Sequence, residues 1–199
     1  MTVLGKIAKR ILDIIVAAVG IVLLSPVFLL CFLIIKFDDG GPVIFKQERI
    51  GRFGHPFNIY KFRSMKTDAE KAGPALSHAK GLDDPRLTRT GKFLRAHHID
   101  ELPQLWNVLV GDMSLVGYRP ERKYYIDQIM QHDPRYALLY QIRPGVTSYA
   151  TLYNGYTDTM EKMLRRLELD LCYLENRSLW MDCKILLLTF TSIIFGKKF

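Results

Sequence analysis

Residues 14–35 read IIVAAVGIVLLSPVFLLCFLII, twenty-two residues without a charge, interrupted once by Ser25-Pro26. As a helix this run would be about 33 Å long, against a bilayer core of about 30 Å. Pro26 lacks a backbone donor and its ring crowds the preceding turn, so a kink is predicted near the middle. Ser25 is placed to satisfy part of the freed backbone, which hydrocarbon would otherwise penalise. Lys6, Lys9 and Arg10 precede the run, and Lys36, Lys46, Arg49 and Arg52 follow it. A single span concentrates basic residues on one side. Basic residues on both sides also suit a helix–break–helix hairpin that enters one leaflet and returns, and the residues leave both forms open. A cleaved signal peptide is not expected, because the run is too long and no small-residue cleavage site follows it.

Working outward, residues 1–37 form the expected membrane segment with its basic N-terminal flank. Residues 38–199 form one further domain, too short for a second substrate-binding unit. The net charge of +8 and pI near 9.4 favour an anionic partner: headgroups, nucleic acid or a phosphorylated substrate. No nucleic-acid motif accompanies the charge, so nucleic acid is not the expected partner. Cys31, Cys172 and Cys183 lack CxxC spacing, which suggests neither a disulfide framework nor a zinc site and fits a reducing compartment.

The pattern predicts mostly helix with a small β-hairpin. Strands are expected over 43–50 and 57–65 around the turn Gly51-Arg52-Phe53-Gly54-His55-Pro56, followed by a long loop over 66–90 containing Gly73-Pro74 and Gly81. Helices are expected over 91–96, from Asp100 to a stop at Gly111, over 121–131, and over 159–174 with Asp158 and Glu161 in capping-box spacing. Leu102, Leu105, Trp106 and Leu109 share one face of the second of these. Met160, Met163, Leu164, Leu167, Leu171 and Leu174 form the stripe of the last. The segment 180–195 is too short to span; Trp180 and Lys197-Lys198 suit a helix lying at the membrane surface, and a core helix is the alternative.

The densest polar signal is Arg86 to Pro120. Adjacent carboxylates at a helix start beside arginines suit phosphoryl chemistry: Asp100 kept ionised to attack phosphorus, Glu101 holding Mg²⁺, and arginines contacting phosphate oxygens. The plainer reading makes Asp100 an N-cap, Glu101 a dipole-compensating residue and the arginines a solvated face. His97 and His98 are read as solvent-facing, and His55, His78 and His132 have no ligand-like spacing. Tyr149, Tyr153 and Tyr156 are read as packing residues, and Asp38-Asp39 as the surface end of the membrane segment.

Four motifs occur in order: Lys61-Phe-Arg63-Ser-Met65, Ile99-Asp100-Glu101-Leu-Pro-Gln-Leu, Gly111-Asp-Met-Ser-Leu-Val-Gly117 with Arg119-Pro120, and Arg143-Pro-Gly145-Val-Thr147. Together they resemble the bacterial sugar transferase family, the small monotopic phosphoglycosyl transferases, over residues 7 to 190. The resemblance implies the re-entrant hairpin with Ser25-Pro26 as its break, at the cytoplasmic face of the bacterial inner membrane. It implies transfer of a sugar phosphate from a UDP-sugar to a polyprenol phosphate such as undecaprenyl phosphate, with release of UMP. By the match, Asp100 is the nucleophile that carries a covalent phospho-sugar, and Glu101 binds Mg²⁺. Arg95 and Arg119, then Lys61 and Arg63, match positions that contact donor phosphates. Asp170 matches an acidic position on the late helix. Tyr118 departs from the commoner proline, Ser148-Tyr149-Ala150 from glycine and tryptophan, and His97-His98 from small polar residues, which leaves nucleotide and sugar choice open. A homodimer is compatible with the resemblance. Two other classes remain: a membrane-anchored glycosyltransferase releasing UDP, for which no nucleotide-binding α/β alternation is present, and a non-enzymatic basic membrane adaptor.

Overall fold

The computed structural model describes residues 1–69, 71, 84–155 and 157–195, excepting the side chains of Asp39 and Ile194. Gly73-Pro74, His78 and Gly81 of the expected 66–90 loop, Tyr156 and Lys197-Lys198 lie outside the described residues. The apolar run forms two helices, α1 (Val3–Leu23) and α2 (Ser25–Asp39), bent by 60° at Leu24. The chemistry of the break is local. Pro26 has no N–H for the carbonyl four residues back, Val22, and the Ser25 hydroxyl donates to that oxygen at 2.8 Å. Among the described residues no single helix is long and apolar enough to cross a membrane, although α1 and α2 together are. Their outward faces are apolar: Val22 and Leu23 are 70% and 71% exposed, and Phe37 is 83% exposed.

The hairpin is β1 (Ile44–Ile50) against β2 (Pro56–Phe62), antiparallel, with Ile44 opposite Phe62 and Ile50 opposite Pro56. The second strand stops before the expected Met65. Arg63 turns its Nε to the Pro42 carbonyl at 2.5 Å, and the Ser64 carbonyl accepts from the Thr88 N–H. Met65 keeps only an isolated bridge to Leu87. Thr88 then caps α3 (Arg89–Ala96), accepting from the Gly91 N–H. A Cβ on Gly91 would lie 1.9 Å from the Ser64 carbonyl oxygen, so only glycine lets α3 sit against the end of β2.

A 3-10 turn, Ile99–Glu101, precedes α4 (Gln104–Val110), which ends at Gly111 with φ 105°. Asp100 is therefore not the N-cap of a helix running to Gly111. That helix begins four residues later, behind Pro103, which makes no side-chain cap. Then come β3 (Ser114–Val116), α5 (Lys123–His132), a 3-10 segment Pro134–Gln141, β4 (Gly145–Thr147), α6 (Tyr149–Asn154), α7 (Met160–Asn176) and α8 (Leu179–Ile194). β3 and β4 form a parallel pair, Ser114 opposite Gly145 and Val116 opposite Thr147. This pair was not expected, because three-residue strands carry no readable alternation. It joins the third and fourth motifs. A Cβ on Gly145 would lie 2.1 Å from the Gly117 nitrogen, and one on Gly117 2.4 Å from the Arg143 carbonyl oxygen.

The stripe of α7 packs as read, with Met163, Leu167 and Leu171 buried. Its cap, however, is Thr159, accepting from the Lys162 N–H at 3.3 Å, while Asp158 pairs with the Lys162 ammonium. Thr159→Ala should cost about 1 kcal/mol of stability, and Asp158→Ala less, measured by thermal unfolding in detergent.

Two apolar clusters hold the elements together. The larger joins Ala17 of α1 to Val108, Met113, Val116, Tyr118, Leu139, Leu167, Tyr173 and Ile185. The smaller joins Cys31 and Ile35 of α2 to Val43, Phe62 and Leu94. The two arms of the bent pair thus support different parts of the domain. Residues read as a basic flank also turn inward. Arg10 donates to the Val108 and Leu109 carbonyls at the end of α4, at 2.7 and 3.2 Å. Lys9 binds Asp182 of α8 at 2.7 Å and lies 3.8 Å from Asp13. Asp13 accepts from the Ser114 hydroxyl at 2.7 Å, and Asp182 from the Tyr173 hydroxyl at 2.6 Å. Helix α8 is buried on one side, at Asp182 and Ile185, and leaves Trp180, Leu187 and Phe190 exposed.

Candidate functional site

β2, the C-terminal end of α3, the 3-10 turn and the segment after β3 converge on two carboxylates. Asp100 is 4% exposed. It follows His98, whose φ of 55° turns the chain sharply between α3 and the 3-10 turn and brings Arg95 and Asp100 near one another. Burial pushes the Asp100 carboxyl upward; Lys61 opposes this, Glu101 adds to it, and Arg95 and His98 oppose it. Burial outweighs the neighbouring cations, so the proton affinity of Asp100 is raised rather than lowered.

Glu101 is its opposite. Burial works against its charge, but Lys61 and Arg119 outweigh burial and hold it well below the usual carboxylate range. Lys61 Nζ lies 2.5 Å from Glu101 Oε1, and Arg119 Nη2 lies 3.5 Å from the same oxygen. Two adjacent carboxyls with divergent proton affinities mark a site where one stays charged and the other can exchange a proton or form a bond. Arg95 completes the centre: its Nη1 is buried without a hydrogen-bond partner, a donor beside Asp100 available to an anion.

Of the residues singled out from sequence, Lys61, Arg95, Asp100, Glu101 and Arg119 come together. Arg63 is buried but turned to Pro42, at the exit of α2. Asp170 sits behind Arg119: burial pushes it up to about 7, Arg166 opposes this, and the backbone N–H groups of Arg119 and Ala150 face it. Its Oδ1 has no hydrogen-bond partner. Asp170 therefore backs the site from within the fold. Tyr118 is fully buried, its hydroxyl 3.5 Å from the Ile50 carbonyl, so that departure is a core substitution. His97 and His98 are exposed as read, although His98 also acts electrostatically on both carboxylates.

Three partners escaped the sequence reading. Glu121 binds Arg166 through Oε1 and Arg49 through Oε2, the latter at 3.4 Å, and Arg166 also binds Thr157, which anchors the chain just after Arg119-Pro120. Asp84, 1% exposed, is held at about 2 by its hydrogen bonds to Arg86 and also feels Arg95. Asp13, in α1, had a visible signal, since a lone acid beside a long apolar run is expensive to bury and usually has a purpose.

The raised Asp170 makes a pH prediction. Its folded affinity for a proton exceeds that of an unfolded aspartate, so its contribution is full below about pH 4 and is lost as pH rises to about 7. Asp170→Asn stays neutral at every pH. The variant's Tm relative to the parent should therefore be higher at pH 8 than at pH 5.5; an equal difference at both pH values would contradict the assignment.

Comparisons with known proteins place the chain among sugar-phosphate transferases by similarity. The sequence model of the bacterial sugar transferase family matches residues 4–196. A UDP-glucose:undecaprenyl-phosphate glucose-1-phosphate transferase of Caulobacter vibrioides is 45% identical over 188 residues, 94% of this chain and 69% of the relative. An Escherichia coli protein of the same name is 42% identical over 93% of this chain, which spans 40% of it. A UDP-N-acetylgalactosamine-undecaprenyl-phosphate N-acetylgalactosaminephosphotransferase of Aeromonas hydrophila is 40% identical over 94% of this chain, which spans 44% of it.

Proposed function

The chain belongs to the bacterial sugar transferase family, and from that premise we propose that it transfers a sugar 1-phosphate from a UDP-sugar to undecaprenyl phosphate, releasing UMP, through a phospho-sugar on Asp100. The observation that carries this reading is the pairing of a buried, raised Asp100 with an ionised Glu101 beneath Lys61, Arg95 and Arg119.

The residues divide the work. An Asp100 carboxylate oxygen attacks the phosphorus that bears the sugar, and the bond from that phosphorus to the UMP oxygen breaks, its electron pair leaving on UMP. The acceptor's phosphate oxygen then attacks the same phosphorus and Asp100 leaves. Two displacements replace one difficult exchange between two anions. Arg95 Nη1 offers its unused donor to a donor-phosphate oxygen as Asp100 closes on the phosphorus. Lys61 and Arg119 keep Glu101 charged.

Glu101 fits the Mg²⁺ role. Magnesium takes one or two protein carboxylates plus substrate phosphates, and Glu101, kept charged by Lys61 and Arg119 at its Oε1, would be the carboxylate that holds it. The metal would neutralise the donor diphosphate. The 60° bend, the Ser25–Val22 hydrogen bond and the apolar outer faces of α1 and α2 support a hairpin re-entering one leaflet, with the carboxylates at the cytoplasmic surface of the inner membrane.

The test is product identity. Purified protein in nanodiscs with Mg²⁺, undecaprenyl phosphate and a panel of UDP-sugars should release UMP with at least one donor. UDP instead of UMP would replace this reading with ordinary glycosyl transfer.

A further inference from the structure

Helices α6 and α8 leave between them a cavity of about 280 Å³, lined by Tyr149, Leu152, Tyr153, Trp180, Leu188 and Lys184 among others. The wall is apolar and aromatic except for one cation. Tyr149 and Tyr153 stand with ring centroids 4.8 Å apart, Tyr153 is half exposed, and Trp180, 80% exposed, stands at the rim. Lys184 has no ion-pair or hydrogen-bond partner among the described residues. The nearby acid, Asp182, is already bound by Lys9 and Tyr173. A lysine left without a counter-charge on an aromatic wall is complementary to a ligand with an anionic head and a hydrocarbon body.

Resting on the function proposed above, we propose that this groove seats the phosphate-proximal isoprene units of the polyprenol phosphate acceptor, with Lys184 drawing in its phosphate. Size favours one chain. The cavity holds about nine water-sized groups, matching about two five-carbon isoprene units of a single-chain lipid rather than the paired chains of a phospholipid. Flat, methyl-branched, unsaturated units suit the tyrosine and tryptophan faces. Position favours the acceptor too. Tyr149 precedes Ala150, whose N–H faces Asp170 together with that of Arg119, and Arg119 reaches Glu101. Asp170 thus ties the start of α6, which carries Tyr149, to the backbone of Arg119. Leu187 and Phe190 of the same helix as Lys184 are also exposed, an apolar surface on which a lipid substrate would arrive.

Two measurements test this. The chain has two tryptophans, so Trp106→Phe leaves Trp180 as the only reporter. Titrating that protein in detergent with undecaprenyl phosphate should change Trp180 emission saturably, whereas undecaprenol and phosphatidylglycerol should not. In the second, Lys184→Glu should raise the KM for undecaprenyl phosphate at least tenfold, while single-turnover UMP release without acceptor stays within twofold of the parent. Lys184→Arg should restore most of the loss. An unchanged acceptor KM, an equal response to phosphatidylglycerol, or parallel loss of both half-reactions would overturn the proposal. A saturable Trp180 response in a protein that releases no UMP would keep the groove and reject the function; turnover without the response would do the reverse.

Discussion

Asp100→Asn should abolish sugar-phosphate transfer, by about 10⁴-fold or more, and leave the protein at least as stable as its parent. The first part follows from removing the nucleophile, for which the neighbouring groups offer no substitute. Glu101 sits beside it but is held by Lys61 and Arg119. The second part follows from burial. Asp100 is 4% exposed and its charge is penalised there, so a neutral side chain of the same shape relieves that cost. An inactive variant with a lowered Tm would mean that Asp100 is a structural residue. In the parent enzyme, single-turnover UMP release should fall on the acid side with a midpoint above the ordinary aspartate range, because burial raises this carboxyl. A midpoint at or below that range would contradict the electrostatic account.

The largest loss of stability is expected at Lys9, far from the carboxylate pair. Its ammonium lies between Asp182 at 2.7 Å and Asp13 at 3.8 Å, both nearly buried, and joins α1 to α8 across β3. Lys9→Met keeps the stem's packing and removes the charge shared by two buried acids. Breaking a buried pair from one side costs about 3–5 kcal/mol. The double change with Asp182→Asn should recover part of this, because one of the stranded charges is gone as well. Thermal unfolding in one detergent across the four proteins checks it; additive effects would show that Lys9 and Asp182 are not coupled. Exposed pairs such as Lys123–Asp127 should give less than about 1 kcal/mol in the same cycle.

The sequence made the architecture legible where periodicity is long or chemistry is local. Residues 14–35 showed both the helices and their break, and the Leu and Met spacing of 160–174 showed which side of α7 is buried. The site was legible chiefly through combination: an Asp-Glu pair alone is an ordinary helix start, and four ordered motifs made it a candidate centre. What stayed hidden depends on distant contacts. The β3–β4 pair joins residues some thirty apart through two glycines that touch, and its strands are too short to alternate. Asp100 looked like a cap because nothing local shows that the helix waits until Gln104. Its raised proton affinity comes from burial, which a string of residues does not display. Lys9 and Arg10 resembled a headgroup-facing flank because their partners, Asp182 and the Val108 carbonyl, lie about a hundred or more residues away.

The most direct measurement is the intact mass of the protein after incubation with Mg²⁺ and its UDP-sugar in the absence of undecaprenyl phosphate. The account predicts a gain of one sugar phosphate, mapped to Asp100, with one UMP released per adduct, and discharge of the adduct when undecaprenyl phosphate is added. Steady transfer to the lipid without any adduct on Asp100, or an adduct that persists in Asp100→Asn, would contradict it.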